Sequence, residues 1–210
     1  MKDKYKLIAQ HYESCLEKHG DTHLGVDWPN MNDLHKRFRV MLDIIRVAND
    51  KSEKVKLLDF GCGTAHLYEY IVANKIENIE YSGLDISPKF VEVSKAKFPQ
   101  LNFYCTDLLK GSEGLPVFDY VVMNGVFTEK RELTFDEMFA FFQQLLEKVF
   151  AITSKGVAFN VMSKAVDWER EDLFHLPADL LIDFLTKKLT RNFIIRNDYG
   201  LYEYTTYIYK

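Results

Sequence analysis

Short apolar runs alternate with amphipathic segments along most of the chain. Runs rich in β-branched and aromatic residues lie at 55–60, 79–85, 101–107, 118–124 and 156–162. Several segments between them repeat apolar residues at helical spacing, most clearly after the capping-box sequence TFDE at 134–137. Strands that alternate with helices predict right-handed crossovers in a mostly parallel sheet, so the pattern predicts an α/β fold.

Two further β-rich runs close the chain, NFIIRND and LYEYTTYIYK. They are too close together for a helical crossover, so they predict an antiparallel hairpin at the edge of the sheet. We therefore expect a doubly wound, mostly parallel seven-stranded sheet with a C-terminal antiparallel hairpin, in one domain spanning 1–210. Its expected parts are N-terminal helices and a lid (1–50), a ligand-binding core (51–162), a loop (163–177), and the last helix with the hairpin (178–210).

Composition limits the partners and the compartment. The chain is 47% hydrophobic and 28% charged, with a net charge of −4 and scattered basic residues, which argues against binding to nucleic acid. No stretch reaches the roughly 20 apolar residues of a membrane helix, and the first residues lack a signal-peptide pattern. Three distant cysteines indicate reduced thiols and no metal cluster. We expect a cytoplasmic protein without a membrane partner.

The turn after the first strand is the most informative part of the sequence. In VKLLDFGCGTAHLYEYI, residues 55–71, Gly61 and Gly63 follow an apolar run and precede a helical segment. Glycines there allow a ligand to approach the backbone beyond the carboxyl ends of parallel strands. The dinucleotide fingerprint requires a third glycine where this chain has His66. A structural turn, or a nicotinamide-dependent oxidoreductase, remains an alternative on these residues alone.

The sequence LLDFGCGTA closely resembles the first motif of class I S-adenosylmethionine-dependent methyltransferases. Asp59, Gly61, Gly63 and Ala65 fall on the positions of that motif, with Cys62 as the small residue inside the turn. The resemblance implies a Rossmann-like methyltransferase fold. It also implies that the glycine loop passes against the methionine part of S-adenosylmethionine, which becomes S-adenosylhomocysteine as product.

The later strand ends extend the resemblance. Asp85 follows Asp59 by 26 residues, at the position where this family binds the ribose hydroxyls, and Ile86 would pack on the adenine. At the third strand end, Asp107 would lie near the adenine amino group, with Leu108 beside the ring. After the fourth strand, the sequence NGVF would place Asn124 towards the methyl donor and Phe127 in the floor of the site.

Two N-terminal residues are further candidates for the cofactor site. Tyr12 resembles the aromatic residue that closes over the cofactor in small-molecule relatives, although a core tyrosine is an equal alternative. Arg37 falls beside the helical stripe formed by Leu34, Phe38 and Met41. It could bind the cofactor carboxylate through two nitrogens, or it could form a surface salt bridge.

The acceptor site is expected outside the shared core, at 11–30 and 163–177. The apolar stripe lapses after Leu16, which predicts a mobile lid over the methyl donor at 11–30. The candidate acceptor residues are polar or aromatic, and each has an alternative interpretation as part of a solvated loop: His23 and Asp27 as bases, and Trp28, Asp167, Trp168 and Arg170 as contacts.

The predicted function is methyl transfer to a small molecule. Methyltransferases that act on exocyclic amino groups of nucleic acid bases usually carry [DNS]-P-P-[YFW] where this chain has NGVF, which argues against DNA or RNA substrates. The resemblance to compact bacterial-type methyltransferases makes a small metabolite, with a sugar or a sugar-nucleotide as the example, the preferred acceptor class. An NAD-dependent oxidoreductase and a catalytically silent methyltransferase-like subunit remain alternatives. The protein is expected to be a monomer or homodimer and to hold no metal.

Overall fold

An eight-stranded sheet forms the centre of the computed structural model, which describes residues 3–45 and 54–210. The strands are β1 Val55–Phe60, β2 Ile79–Asp85, β3 Asn102–Cys105, β4 Phe118–Met123, β5 Thr153–Ser163, β6 His175–Leu176, β7 Phe193–Arg196 and β8 Glu203–Tyr209. Their order is β3-β2-β1-β4-β5-β8-β7, and the short β6 pairs with the end of β5. Strands β1 to β6 pair in parallel, whereas β8 is antiparallel to both β5 and β7.

Helices cover both faces of this sheet, as the doubly wound fold predicts. They are α1 Lys6–His19, α2 Met31–Leu42, α3 His66–Ala73, α4 Pro88–Lys97, α5 Phe135–Ala151 and α6 Ala178–Phe184, with a π-helical turn at Leu185–Leu189. Residues of α5 and α6, such as Phe142 and Leu181, pack in one apolar layer. Residues of α2 and α3, such as Met41 and Leu67, pack in the other.

Local sequence signals explain where two of the helices begin. Thr134 and Glu137 form the predicted capping box of α5, since each side chain binds the backbone nitrogen of the other residue. Pro88 occupies the first turn of α4, where its missing backbone N–H leaves no hydrogen bond unmade. The hydroxyl of Ser87 does not cap that helix, however, because it donates to Glu13 of α1.

The predicted fold class and the C-terminal hairpin are confirmed, with two local differences. The third strand is shorter than the predicted 101–107, so Asp107 lies in the loop beyond it. The predicted loop 163–177 contributes β6, which makes eight strands rather than seven. The strand order reverses between β1 and β4, so the crevice at their carboxyl ends is where an open α/β sheet binds ligands.

Candidate active site

A cavity of about 160 Å³ lies at the carboxyl ends of β1, β2 and β4, under residues of α1 and the segment that follows it. The residues predicted to bind the cofactor line this cavity, with the exception of Arg37: they are Tyr12, Asp59, Gly61, Cys62, Gly63, Asp85, Ile86, Asp107, Leu108 and Asn124. Four separate strand ends and the N-terminal segment therefore meet at one place, as parallel strands require.

The glycine turn has the backbone that its sequence predicts. Gly61, Gly63 and Ala65 have φ angles of 73°, 53° and 64°, in the left-handed region that glycine adopts at least cost. The amides of Gly61 and Cys62 both donate to the carbonyl of Leu84, which anchors the turn on β2. A side chain at Gly63 would place its Cβ 3.0 Å from a methyl carbon of Val26, so the N-terminal segment rests directly on the turn.

Asp85 occupies the end of β2 as a buried carboxylate held by backbone donors. Its oxygens accept hydrogen bonds from the amides of Gly63, at 3.0 Å, and Ser87, at 2.9 Å. Burial raises the pKa of Asp85 to about 6, although these amide hydrogen bonds oppose the shift. The carboxylate is thus fixed in direction at the edge of the cavity.

Asp59 lies one strand away and is also buried. One of its oxygens accepts a hydrogen bond from the hydroxyl of Tyr81, at 2.7 Å. Burial raises the pKa of Asp59 to about 7, because desolvation outweighs that hydrogen bond and the negative charge of Asp85 adds to it. Two acidic groups with raised pKa values therefore lie side by side at the switch point.

Asp107 connects the cavity to the start of the chain. Its Oδ2 accepts a hydrogen bond from the hydroxyl of Tyr5 at 2.7 Å, and its Oδ1 accepts one from the amide of Leu109 at 3.2 Å. Tyr5 also lines the cavity. Sequence analysis missed Tyr5, because nothing in the local pattern relates it to a residue 102 positions away.

The turn after β4 carries the most unusual polar group of the cavity. Asn124 Oδ1 is buried and has no hydrogen-bond partner among the described residues. Both backbone polar groups of the neighbouring Gly125 form hydrogen bonds. Its amide donates to Asn160 Oδ1 at 2.8 Å, and its carbonyl accepts from the Tyr12 hydroxyl at 3.3 Å. A buried acceptor without a partner costs stability, so a donor group of a ligand would satisfy it.

Arg37 does not face the cavity, which differs from the prediction. Its Nε and Nη2 bind the carboxylate of Glu203 at 2.8 to 3.0 Å, and its guanidinium lies 4.2 Å from the ring centroid of Trp28. The predicted bidentate carboxylate partner is therefore a side chain of β8 rather than a cofactor. Glu203 is 1% exposed, so its buried charge requires this partner.

The lid predicted at 11–30 consists of the second half of α1 and the loop after it. Trp28 and Tyr12 line the cavity, and the Trp28 ring leaves no room for a side chain at Gly125. His23 does not line it, because its Nδ1 contacts the backbone oxygen of Trp28 at 2.6 Å. Asp27 also lies outside the lining and pairs with His11, at 2.7 Å from Nε2 to Oδ2.

Ion pairs fasten residues 11–30 to the core. Asp21 lies 2.8 Å from the Lys97 ammonium and 3.1 Å from His66 Nε2. Glu17 and Glu13 both pair with Lys89, at 2.6 and 3.1 Å. Acidic residues of the lid thus meet basic residues of α3 and α4.

The 163–177 segment does not reach the cavity, contrary to the expectation for the acceptor site. Asp167 is exposed, Trp168 is 49% exposed and packs against Tyr202, and Arg170 pairs with Asp172. His175 belongs to β6, which pairs with β5, and its Nδ1 contacts the Ser163 carbonyl.

Phe127 also differs from its predicted place in the floor of the site. It is fully buried among Phe142 and Phe159, in the apolar layer that contains α5. Complete burial of a large aromatic side chain stabilises the fold more than a position in a partly polar cavity wall would.

The comparisons with known proteins agree with this geometry. Residues 58–148 match a family model described as a methyltransferase domain. The Mycobacterium tuberculosis protein Rv1506c, which carries a provisional methyltransferase name, is 26% identical over 171 residues, covering 79% of this chain and 99% of its own.

Solved methyltransferase structures share the fold. Magnesium protoporphyrin IX methyltransferase from Synechocystis PCC 6803 with bound SAM superposes with a TM-score of 0.66 at 15% identity, over 100% of this chain and 98% of its own. Human N-acetylserotonin methyltransferase with SAM gives a TM-score of 0.65 at 15% identity, over 100% of this chain and 59% of its own.

The glycine-turn motif, the strand order and the domain match over residues 58–148 agree in indicating an S-adenosylmethionine-dependent methyltransferase. The prediction of such an enzyme from the first motif is confirmed. Among the residues that the structure describes, no helix is both long enough and apolar enough to span a membrane.

The raised pKa of Asp59 predicts how the stability of the ligand-free protein depends on pH. The ordinary pKa of an aspartate is 3.8, so between about pH 4 and 7 the folded protein binds this proton more tightly than the unfolded chain does. The contribution of Asp59 therefore makes the free energy of unfolding fall as the pH rises through this range. Asp85 contributes in the same direction up to about pH 6, and the lowered pKa of His66 contributes in the opposite direction near pH 6.5, so the difference between the wild type and Asp59→Asn isolates the contribution of Asp59.

In the Asp59→Asn variant, we expect the free energy of unfolding to lose the decrease that Asp59 causes as the pH rises. Urea unfolding at a series of pH values measures this dependence. Asp167→Asn, at an exposed aspartate, is the matched control and keeps the wild-type slope. An Asp59→Asn protein with an unchanged slope would contradict the burial of a protonatable carboxyl group at this position.

Two asparagines at the turn after β4 provide a second prediction. Asn124→Ala removes an acceptor without a partner, so we expect the free energy of unfolding to rise by about 1 kcal/mol. Asn160→Ala leaves the Gly125 amide without its partner and removes one of the donors to the buried Glu203 carboxylate, so we expect a loss of about 2 kcal/mol or more. Chemical denaturation of both variants measures the sign of the change in the free energy of unfolding. Equal destabilisation would mean that Asn124 Oδ1 accepts a hydrogen bond in the folded protein.

Proposed function

We propose that this protein transfers the methyl group of S-adenosylmethionine to a small-molecule acceptor, with a sugar or a sugar-nucleotide as the preferred class. The observation that carries the cofactor assignment is the single cavity in which the predicted residues from four strand ends meet. Its residues supply what this cofactor needs: carboxylates for hydroxyl groups, apolar walls for a purine, and an unpaired acceptor for an ammonium group.

In this proposal, Asp85 accepts hydrogen bonds from the ribose hydroxyls. Both of its oxygens already accept one backbone N–H, and an ionised carboxylate oxygen has capacity for a second donor. Ile86 and Leu108 both line the cavity and would enclose the adenine. The fixed direction of the carboxylate reduces the entropy that binding must overcome.

The methionine part would lie along the glycine turn towards Asn124. Two cavity-lining residues of the described chain have buried polar atoms without partners, Asn124 Oδ1 and His66 Nδ1. Asn124 Oδ1 suits an ammonium donor. When bound, the cofactor supplies an electrophilic methyl on sulfur; the chain's own residues position it and exclude water.

Three observations bear on the class of the acceptor. The solved neighbours named above act on a porphyrin and on N-acetylserotonin, which are both small molecules. The acidic chain and its lack of a basic run argue against nucleic acid. An NAD-dependent oxidoreductase is disfavoured by His66 at the third fingerprint position.

Calorimetric titration with S-adenosylhomocysteine tests the cofactor assignment. Asp85→Ala should weaken binding by about 2 to 5 kcal/mol, because two buried charge-assisted hydrogen bonds are lost. Asn124→Ala should weaken it less. Asp167→Ala serves as the control and should bind like the wild type. Binding of NAD instead of S-adenosylhomocysteine, or an unchanged affinity in Asp85→Ala, would refute the assignment.

We also propose that residues 11–30 act as a lid that opens to admit the cofactor. Val26 rests on the glycine turn, and the acidic side chains of the lid hold it through ion pairs that water can reach. The Glu17–Lys89 pair is exposed and contributes little stability, so this side of the segment separates at low cost.

Amide hydrogen exchange with and without S-adenosylhomocysteine measures the opening. We expect slower exchange at residues 20–29 when the ligand is bound, while the amides of β5, at the centre of the sheet, exchange equally in both states. Equal protection of the loop with and without ligand would show that the segment is a fixed wall.

A further inference from the structure

Three side chains of different chemical types converge where α1 meets the loop before Trp28. His11 Nε2 lies 2.7 Å from Asp27 Oδ2 and 3.8 Å from Cys15 Sγ. One nitrogen, one sulfur and one carboxylate oxygen of the three residues all lie within 4.8 Å of one another. All three residues lie outside the lining of the cavity at the carboxyl ends of β1, β2 and β4.

The helix supplies two of the three groups and the loop supplies the third. His11 and Cys15 lie on one face of α1, because residues four positions apart are neighbours on a helix surface. Asp27 reaches them only because the loop folds back onto the helix. Sequence analysis predicted no metal because the cysteines are far apart, and nothing in the local pattern relates Asp27 to the other two residues.

The spacing of the three atoms is close to that of a tetrahedral zinc site. Bonds from zinc to nitrogen, oxygen and sulfur of about 2.0 to 2.3 Å, at tetrahedral angles, place pairs of ligand atoms about 3.3 to 3.6 Å apart. The distances from His11 Nε2 to Asp27 Oδ2 and to Cys15 Sγ differ from these values by about 0.6 Å or less. Rotations of the side chains are therefore enough to bring the three atoms onto one ion.

The donor atoms determine which kind of metal the site prefers. A thiolate sulfur and an imidazole nitrogen suit zinc, whereas Mg²⁺ and Ca²⁺ take oxygen ligands. The thiolate of Cys15 and the carboxylate of Asp27 carry two negative charges, which balance the charge of Zn²⁺ while the imidazole of His11 stays neutral. A partly buried site favours this balance, because an uncompensated charge away from water is costly.

An ion can reach these residues from solution. The side chains of His11 and Asp27 are 22% and 39% exposed, and Cys15 is partly buried. His11 also lines a polar groove between α1 and the loops around 130–134 and 171–172. The three side chains would leave the fourth position of a tetrahedral zinc ion to water.

An ion at this place would join α1 to the loop that follows it. Tyr12 and Trp28 are the chain neighbours of the histidine and the aspartate, and both line the cavity and contact Gly125. The ion would thus hold two cavity-lining aromatic residues in position from outside the cavity.

We propose that His11, Cys15 and Asp27 form a zinc site that fastens α1 to the loop before Trp28. The ion has a structural role and takes no part in methyl transfer. This site does not depend on the proposed function, because zinc binding is measured on the protein without S-adenosylmethionine. The proposed function is tested separately, by titration with S-adenosylhomocysteine.

Titration of the reduced, chelator-treated protein with Zn²⁺ and with Co²⁺ tests the site. We expect one zinc ion per chain by elemental analysis after free metal is removed. Co²⁺ in the same site should give a thiolate-to-metal charge-transfer band and the strong visible absorption of tetrahedral cobalt. Cys15→Ser should lose the charge-transfer band, and His11→Gln and Asp27→Asn should each weaken zinc binding at least about 10-fold.

Two variants elsewhere in the chain are matched controls. Cys105→Ser removes an exposed thiol at the end of β3, and His19→Gln changes an exposed histidine at the end of α1, so both should bind zinc like the wild type. A wild type that binds no zinc, or Cys15→Ser that binds it equally well, overturns the inference. The cobalt spectrum of Cys105→Ser keeps the test decisive if a ligand variant fails to fold, since absence of the thiolate band there also overturns it.

Amide hydrogen exchange measures the fastening itself. Saturating Zn²⁺ should slow exchange at residues 20–29 of the cofactor-free wild type and leave Cys15→Ser unchanged, because metal binding stabilises the fold that brings the ligands together. Equal exchange of this loop with and without bound zinc would show that the ion does not join the loop to α1, and the proposed role would be wrong.

Discussion

The buried carboxylate of Glu203 is the interaction on which the wall of the cavity depends. It receives hydrogen bonds from Arg37 of α2 and from Asn160 of β5, and the other end of Asn160 accepts the Gly125 amide. A charge in β8 thereby fixes the turn after β4. Removing either partner of such a buried pair costs about 3 to 5 kcal/mol, because the remaining charge loses its compensation.

The same carboxylate controls the position of an aromatic residue in the lid. Arg37 is held by Glu203 and lies over Trp28, while Trp28 packs against Gly125. The turn at Gly125 and the ring of Trp28 thus both depend on the buried carboxylate of Glu203. The acidic contacts on the other side of the lid, such as Glu17 with Lys89, are exposed and individually weak. This difference supports the proposed lid, because buried groups hold the floor of the cavity while exposed ion pairs hold the side of the segment 11–30 that lies on α4.

Sequence reasoning reached most of the fold because the informative patterns are local. The apolar runs gave β1 and β2 with their observed bounds, and the glycine turn is specified by residues adjacent to it. The partner of Arg37 could not be predicted, because Glu203 is 166 residues away and only the completed sheet brings them together. The pairing of His11 with Asp27 depends in the same way on how the loop after α1 folds back. Phe127 was misplaced because an apolar residue at a strand end is compatible with either the core or a cavity wall.

This chain has His66 at the position of the third glycine of the dinucleotide fingerprint, and His66 contacts a residue of the segment 11–30. Ala65 keeps the left-handed conformation that glycine would adopt more cheaply, and it is fully buried where α3 begins. His66 then contacts Asp21 of the lid, and burial together with the positive charge of Lys97 lowers its pKa. A neutral imidazole can still donate a hydrogen bond to the Asp21 carboxylate, so this contact does not require a second positive charge.

A dinucleotide-binding turn has a glycine, without a side chain, at this position. Here the side chain of His66 binds a segment that covers the cavity. The turn therefore serves two purposes: its glycines leave room for a ligand, and His66 ties the segment 11–30 to the carboxyl end of β1.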